Sequence, residues 1–211
     1  HVLGGEPMFQ DEFIECLEFF ETHENPKLNW KIFSNLKQNP KQFKKKLDRM
    51  ASLVKNKKLG RIELVCSFDC WGKEIEYARY GTDLVEWEEN FNILLTYPDI
   101  NISIHSTLTP VTLPTAWKLT EKVNEWKKIK PINQGWNMIA NPPFLDPSVF
   151  GHYMEDYFQK LIDTVEKQDI GYLEGFLVQT KNSPVNRKMM IELRDYLDEL
   201  DRRRDLDWRQ I

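Results

Sequence analysis

INISIHST, residues 100–107, alternates apolar Ile102 and Ile104 with polar Asn101, Ser103, His105 and Thr107. Strands buried on both faces usually read as unbroken apolar runs, so a period of two leaves one face of this strand to meet something polar. RIELVCSFD (61–69) repeats the parity, with Ile62, Leu64, Cys66 and Phe68 on one side and Glu63, Val65, Ser67 and Asp69 on the other. If the isoleucine side packs under helices, then Ser103, His105 and Thr107 line the concave side that a partial barrel offers to a ligand.

Outward from these two strands the chain alternates. Phe9, Phe13, Leu17 and Phe20 predict a helix over 7–22, and LNWKIFSNL (28–36) a strand. Phe43, Leu47, Met50 and Val54 mark the next helix, and Trp87, Phe91, Leu94 and Leu95 another between the two quoted strands. Leu119, Val123 and Trp126 follow as a helix, GWNMIAN (135–141) as a strand, and Phe150, Met154, Tyr157, Leu161 and Val165 as a longer helix. A last helix is expected from about Val185 to Leu200. Strands separated by amphipathic helices are successive βα units, which pair in parallel through right-handed crossovers. The Pro-dense NPPFLDP (141–147) is the natural joint, dividing a βα part, 1–145, from a helical extension, 146–211.

Composition narrows the function classes. The 211 residues are 41% apolar and 12% aromatic, enough for a core over roughly 70% of the unfolded surface. Lys and Arg number 29 against 33 Asp and Glu, a net charge of −4, so no strong positive field gathers nucleic-acid phosphates and no nucleic-acid partner is expected. No apolar run approaches the span of about 20 residues that a bilayer needs, and no export segment opens the chain, so a cytoplasmic location without membrane contact is expected. Three cysteines make no extracellular staple set. Cys66 and Cys70 have an x₃ gap, but Cys16 lies mid-helix and Cys66 faces the helices by parity, so the three read as structural rather than as metal ligands.

Chemistry concentrates at strand ends. Gly4, Gly5, Glu6 and Pro7 lie just past a strand and open a helix, where bare backbone can approach a ligand; a tight turn with Glu6 at the helix dipole accounts for them as well. Ser67 ends a strand. Arg79 follows it with a fork suited to a carboxylate, or else pairs with Glu74 or Glu76 on a helix surface. Asn35 suits a ligand or a turn, Asp69 suits a loop cap or the orientation of Arg79, and His105 sits on the polar face as donor or acceptor. Nucleophile elbow, phosphate-cradling loop and HExxH helix are missing from the sequence, which leaves hydrolase and kinase readings without support.

LGGEP at a strand end, followed by NWKIFSNL, LVCSFDCWGKEIEYARYG and INISIHSTLT, resembles the radical S-adenosylmethionine family from its second barrel strand onward, over about residues 1–145. The ending YLDELDRRRDLDWRQI is similar to the tails of members with a twitch-type extension. The resemblance implies an α/β fold, a partial parallel (β/α) barrel with a C-terminal helical segment. It implies an enzyme that uses S-adenosylmethionine and a [4Fe–4S] cluster to form a 5′-deoxyadenosyl radical for hydrogen abstraction. By the same resemblance Gly4, Gly5 and Glu6 hold the cosubstrate's amino group, Ser67 and Arg79 its ribose and carboxylate, and Asn35 a matching strand-end position. His105 would touch the adenosine part or a substrate, itself a peptide or a small molecule. The family's CxxxCxxC loop is not in this sequence, so the cluster ligands are expected upstream of His1. The fragment alone is then expected to be inactive, and an electron donor such as flavodoxin or ferredoxin is implied for the complete enzyme. The alternative is a degenerate barrel that binds a small molecule or a protein without a cluster.

Overall fold

The computed structural model describes residues 6–211. It is an α/β structure whose four strands lie side by side in chain order: β1 (Asn25–Ser34), β2 (Leu59–Ser67), β3 (Ile100–Leu108) and β4 (Ile132–Met138). β1 pairs parallel with β2, and β2 with β3. Strands laid down in sequence order and joined by right-handed crossovers deliver their helices to one side of a sheet, leaving the other without crossover cover. The burial pattern agrees. Ile32, Leu64, Cys66 and Ile104 are fully buried, whereas Lys31, Glu63, Ser67, Ser103 and His105 stay half-exposed on the opposite face. Val65 is the exception, buried on the polar side.

The helices are α1 (Asp11–Thr22), α2 (Pro40–Lys55), α3 (Lys73–Ala78), α4 (Leu84–Leu95), α5 (Leu113–Lys127), α6 (Glu155–Thr164), α7 (Leu173–Asn182) and α8 (Arg187–Arg204). The helix expected over 7–22 is divided. Glu6 caps a short 3₁₀ turn, Pro7–Phe9, Gln10 is extended, and α1 starts afresh with Asp11 and Glu12 at its positive end. The helix expected from Phe150 to Val165 also breaks. Gly151 takes φ of +53°, where a Cβ would meet the Ser183 carbonyl at 2.8 Å, so a 3₁₀ stretch, Pro147–Met154, precedes α6. Helices α3 and α7 have no counterpart in the periodicity. Among the described helices none is long and apolar enough to cross a membrane.

Two compact units interleave along the chain. The first comprises residues up to 68, 82–105 and 125–134; the second comprises 69–81, 106–124 and 135–211. In the first, Phe68 stacks on Trp87 with ring centroids 3.9 Å apart, Trp87 on Phe91 at 5.0 Å, and Phe91 meets Trp126 at 4.3 Å. These aromatics bind α4 to Phe68, just past β2, and to Trp126 by area and by ring geometry. In the second, Tyr77 of α3 packs with Leu193 and Leu197 of α8. The Tyr77 hydroxyl donates to Asp201 Oδ1 at 2.8 Å, and Asp201 Oδ2 accepts the Trp208 amide at 2.8 Å. The segment after β2 is thereby fastened to the chain's last helix.

Candidate functional site

In parallel α/β sheets the carboxyl ends of the strands are where ligands meet backbone. At the end of β1, Glu6 is 9% exposed. Its Oε1 accepts from the Ser34 hydroxyl at 2.9 Å and the Met8 amide at 3.3 Å, and its Oε2 accepts from the Asn35 amide at 2.7 Å. Burial raises the Glu6 carboxyl above its ordinary value, against the three hydrogen bonds and the positive charge of Lys46, which pull the other way. The Lys46 ammonium of α2 donates to the Met8 carbonyl and, at 2.8 Å, to Gln38 Oε1, closing the turn from the far side. Gly4 and Gly5 lie outside the described residues.

Asn35 does what a turn residue does. Its Oδ1 accepts the Lys37 amide at 2.9 Å, and Leu36 follows at φ +57°, with the Ser34 Oγ accepting the Leu36 amide at 3.0 Å. The Asn90 side chain of α4 donates to the carbonyls of Leu36 and Gln38 at 2.8 and 2.7 Å, so the whole β1–α2 turn is pinned. Ser34 and Lys46 belong to this cluster and carry no sequence motif; only the contacts reveal them.

At the end of β2, Ser67 is half-buried and lies opposite His105 in the β2–β3 register, so both occupy one face. Lower on the same face, Glu63 accepts from Ser103 at 2.5 Å and pairs with Lys31 at 3.3 Å. The bonds to Ser103 and Lys31 hold the Glu63 carboxyl below its ordinary value although desolvation opposes them.

Arg79 caps the end of α3 and spends its fork on Asp69, with Nε to Oδ2 at 2.7 Å and Nη2 to Oδ1 at 3.0 Å. Glu74 and Glu76, its alternative partners on the helix surface, are not on that fork. Asp69 Oδ1 also accepts the Thr107 amide at 2.8 Å, so one carboxylate both orients the guanidinium and ties the end of β2 to the end of β3. The Asp69 side chain is 8% exposed and that of Arg79 30%. The cation is thus fixed on one edge and part-exposed. Glu6, Asn35, Ser67 and His105 lie in the first unit and Arg79 in the second.

Cys66 and Cys70 are fully buried, and burial pushes both thiols far up, away from the thiolate that iron requires. Cys16 is half-buried on α1, and among the described residues no group of three His, Cys, Asp or Glu is arranged to hold a metal ion. The described side chains do not fit an iron–sulfur cluster. Comparison of the chain with protein-family models, curated proteins and solved structures finds no match.

Proposed function

We propose that this chain is the cosubstrate-binding portion of a radical S-adenosylmethionine enzyme's partial (β/α) barrel. The observation that carries the reading is the Asp69–Arg79 fork, a pre-oriented guanidinium at the carboxyl end of a parallel strand with one edge left for a second carboxylate. Strands in chain order, and a half-exposed polar face bearing Ser67 and His105, support the same assignment.

In this reading Arg79 binds the carboxylate of the cosubstrate's methionine part, and Asp69 positions Arg79. Glu6 acts chiefly through the turn it clasps, since three of its acceptor sites already serve Ser34, Asn35 and Met8. When bound with a cluster supplied from elsewhere, the cosubstrate would furnish a 5′-deoxyadenosyl radical. No step is assigned to the thiols described above.

The test is titration of the chain with S-adenosylmethionine, followed by the Arg79 Nε signal. A saturable shift is expected, with at least tenfold weaker binding in Arg79→Ala. Binding that leaves the signal in place, or that Arg79→Ala does not weaken, overturns the proposal.

A further inference from the structure

The second unit contains a concave feature that the cosubstrate reading does not use. A cavity of about 390 Å³ opens between α8, the 3₁₀ stretch before α6 and the turn that follows β3. Its walls are apolar: Val111, Met154, Met190, Leu193, Leu197 and the Trp208 ring. The charged residues on it are Glu74, Arg194 and Arg209, and the two cations are met from outside the lining by Asp195, Asp198 and Asp207.

Three features separate this hollow from an ordinary surface crease. Its floor is rigid, because Leu193 and Leu197 belong to the buried cluster around Tyr77. Its aromatic wall is locked: the Trp208 indole N–H donates to Asp198 at 2.8 Å, while its amide is held by Asp201. One of its cations is placed in advance, for the Arg209 guanidinium lies 4.6 Å from the Trp208 ring centroid and donates to Asp198 at 2.8 Å. Arg194 is held on one side by Asp195 at 2.8 Å. A guanidinium has five donors, so each cation keeps capacity for another carboxylate oxygen. A wall fixed before binding lowers the ordering cost of a ligand, and paired methionines tolerate variation in its shape.

We propose that this cavity binds a small molecule with an apolar body and a carboxylate head, the body against Met154, Met190 and Leu197 and the head toward Arg194 and Arg209. The volume, near the lower end of the range of roughly 300–1,000 Å³ for ligand pockets, suits a compact metabolite-sized acid. The guanidinium donors that Asp195, Asp198 and Asp207 leave over, rather than a net charge, select the anionic member of a pair of equal shape. This site stands apart from the cosubstrate reading, and either survives failure of the other.

The experiment uses the whole chain with ¹³C-methyl methionine, which reports at Met8, Met50, Met138, Met154, Met189 and Met190. The probes are 4-phenylbutanoate and its neutral counterpart 4-phenylbutan-1-ol. Saturable shifts confined to Met154, Met190 and adjacent Met189 are expected, with the carboxylate at least fivefold tighter. Arg194→Gln with Arg209→Gln, both on the surface, should abolish that preference and leave the alcohol's affinity in place. Met190→Trp should exclude both probes. Shifts spread over Met8 and Met50, equal affinity for acid and alcohol, or a preference that survives the double substitution overturns the proposal. So do Met154 and Met190 shifts that depend on protein concentration without any probe, which would mean that a second copy fills the hollow.

Discussion

The ends of β1 and β2 each hold one buried carboxylate, and the two are satisfied in different ways. Glu6 receives neutral donors, two amides and a hydroxyl, with a cation acting on it only at a distance. Asp69 receives a guanidinium fork and an amide. A buried charge held by neutral dipoles keeps part of its desolvation cost, which is why burial raises the Glu6 carboxyl. A charge held by an opposite charge recovers more of that cost, and its loss leaves a cation behind. The first arrangement builds a turn, and the second aims a side chain.

The largest expected effect is therefore at the second site. Asp69→Ala removes the fork and strands the Thr107 amide, and should cost about 3 kcal/mol in urea denaturation. Glu6→Ala strands three donors but also relieves a buried charge, so about 2 kcal/mol is expected by the same measurement. If Glu6→Ala proves the costlier of the two, the contrast between the sites is wrong. Arg79→Lys keeps the charge and loses the bidentate geometry, which should cost about 1 kcal/mol at this partly exposed pair.

The smallest effect is a pH dependence. Because Glu6 is raised in the folded chain from an ordinary 4.5, the folded state holds an extra proton between 4.5 and that raised value. Glu6 thus contributes stability that is present below 4.5 and lost as pH climbs through the raised value. Paired urea titrations of the parent and Glu6→Gln between pH 4 and 8 should show the variant gaining on the parent as pH rises. A gap that is flat, or that moves the other way, would sharpen the comparison against the present account of Glu6.

Much of the fold was legible because side-chain parity is a local property. The alternation in 61–69 and 100–107 placed Ile62, Leu64, Cys66, Ile102 and Ile104 in the core, and they are buried. Helix α3 is six residues long, too short to display a period, and α7 carries Gly175 between its buried Leu173 and Leu177, which blurs its apolar face. The break at Gly151 depends on the Ser183 carbonyl that the folded chain brings near it, whereas the break at Gln10 follows the local Glu6 cap of the Pro7–Phe9 turn. At the candidate site the same division holds. Residue types suited to a carboxylate or a ribose could be read in Arg79 and Ser67, and Asp69 as the orienter of Arg79. The partners Ser34 and Lys46 of Glu6, 28 and 40 positions away along the chain, could not.

Asp201 joins Tyr77 to the Trp208 amide through its two oxygens, and Arg204 adds a bond to the Tyr77 carbonyl at 3.2 Å. The short helix that ends at Arg79 is consequently buckled to the exposed final turn. A protease that nicks the chain near Asp205 would slacken this strap at a distance from the strand ends. Limited digestion is therefore a sensitive gauge of how firmly the guanidinium is aimed.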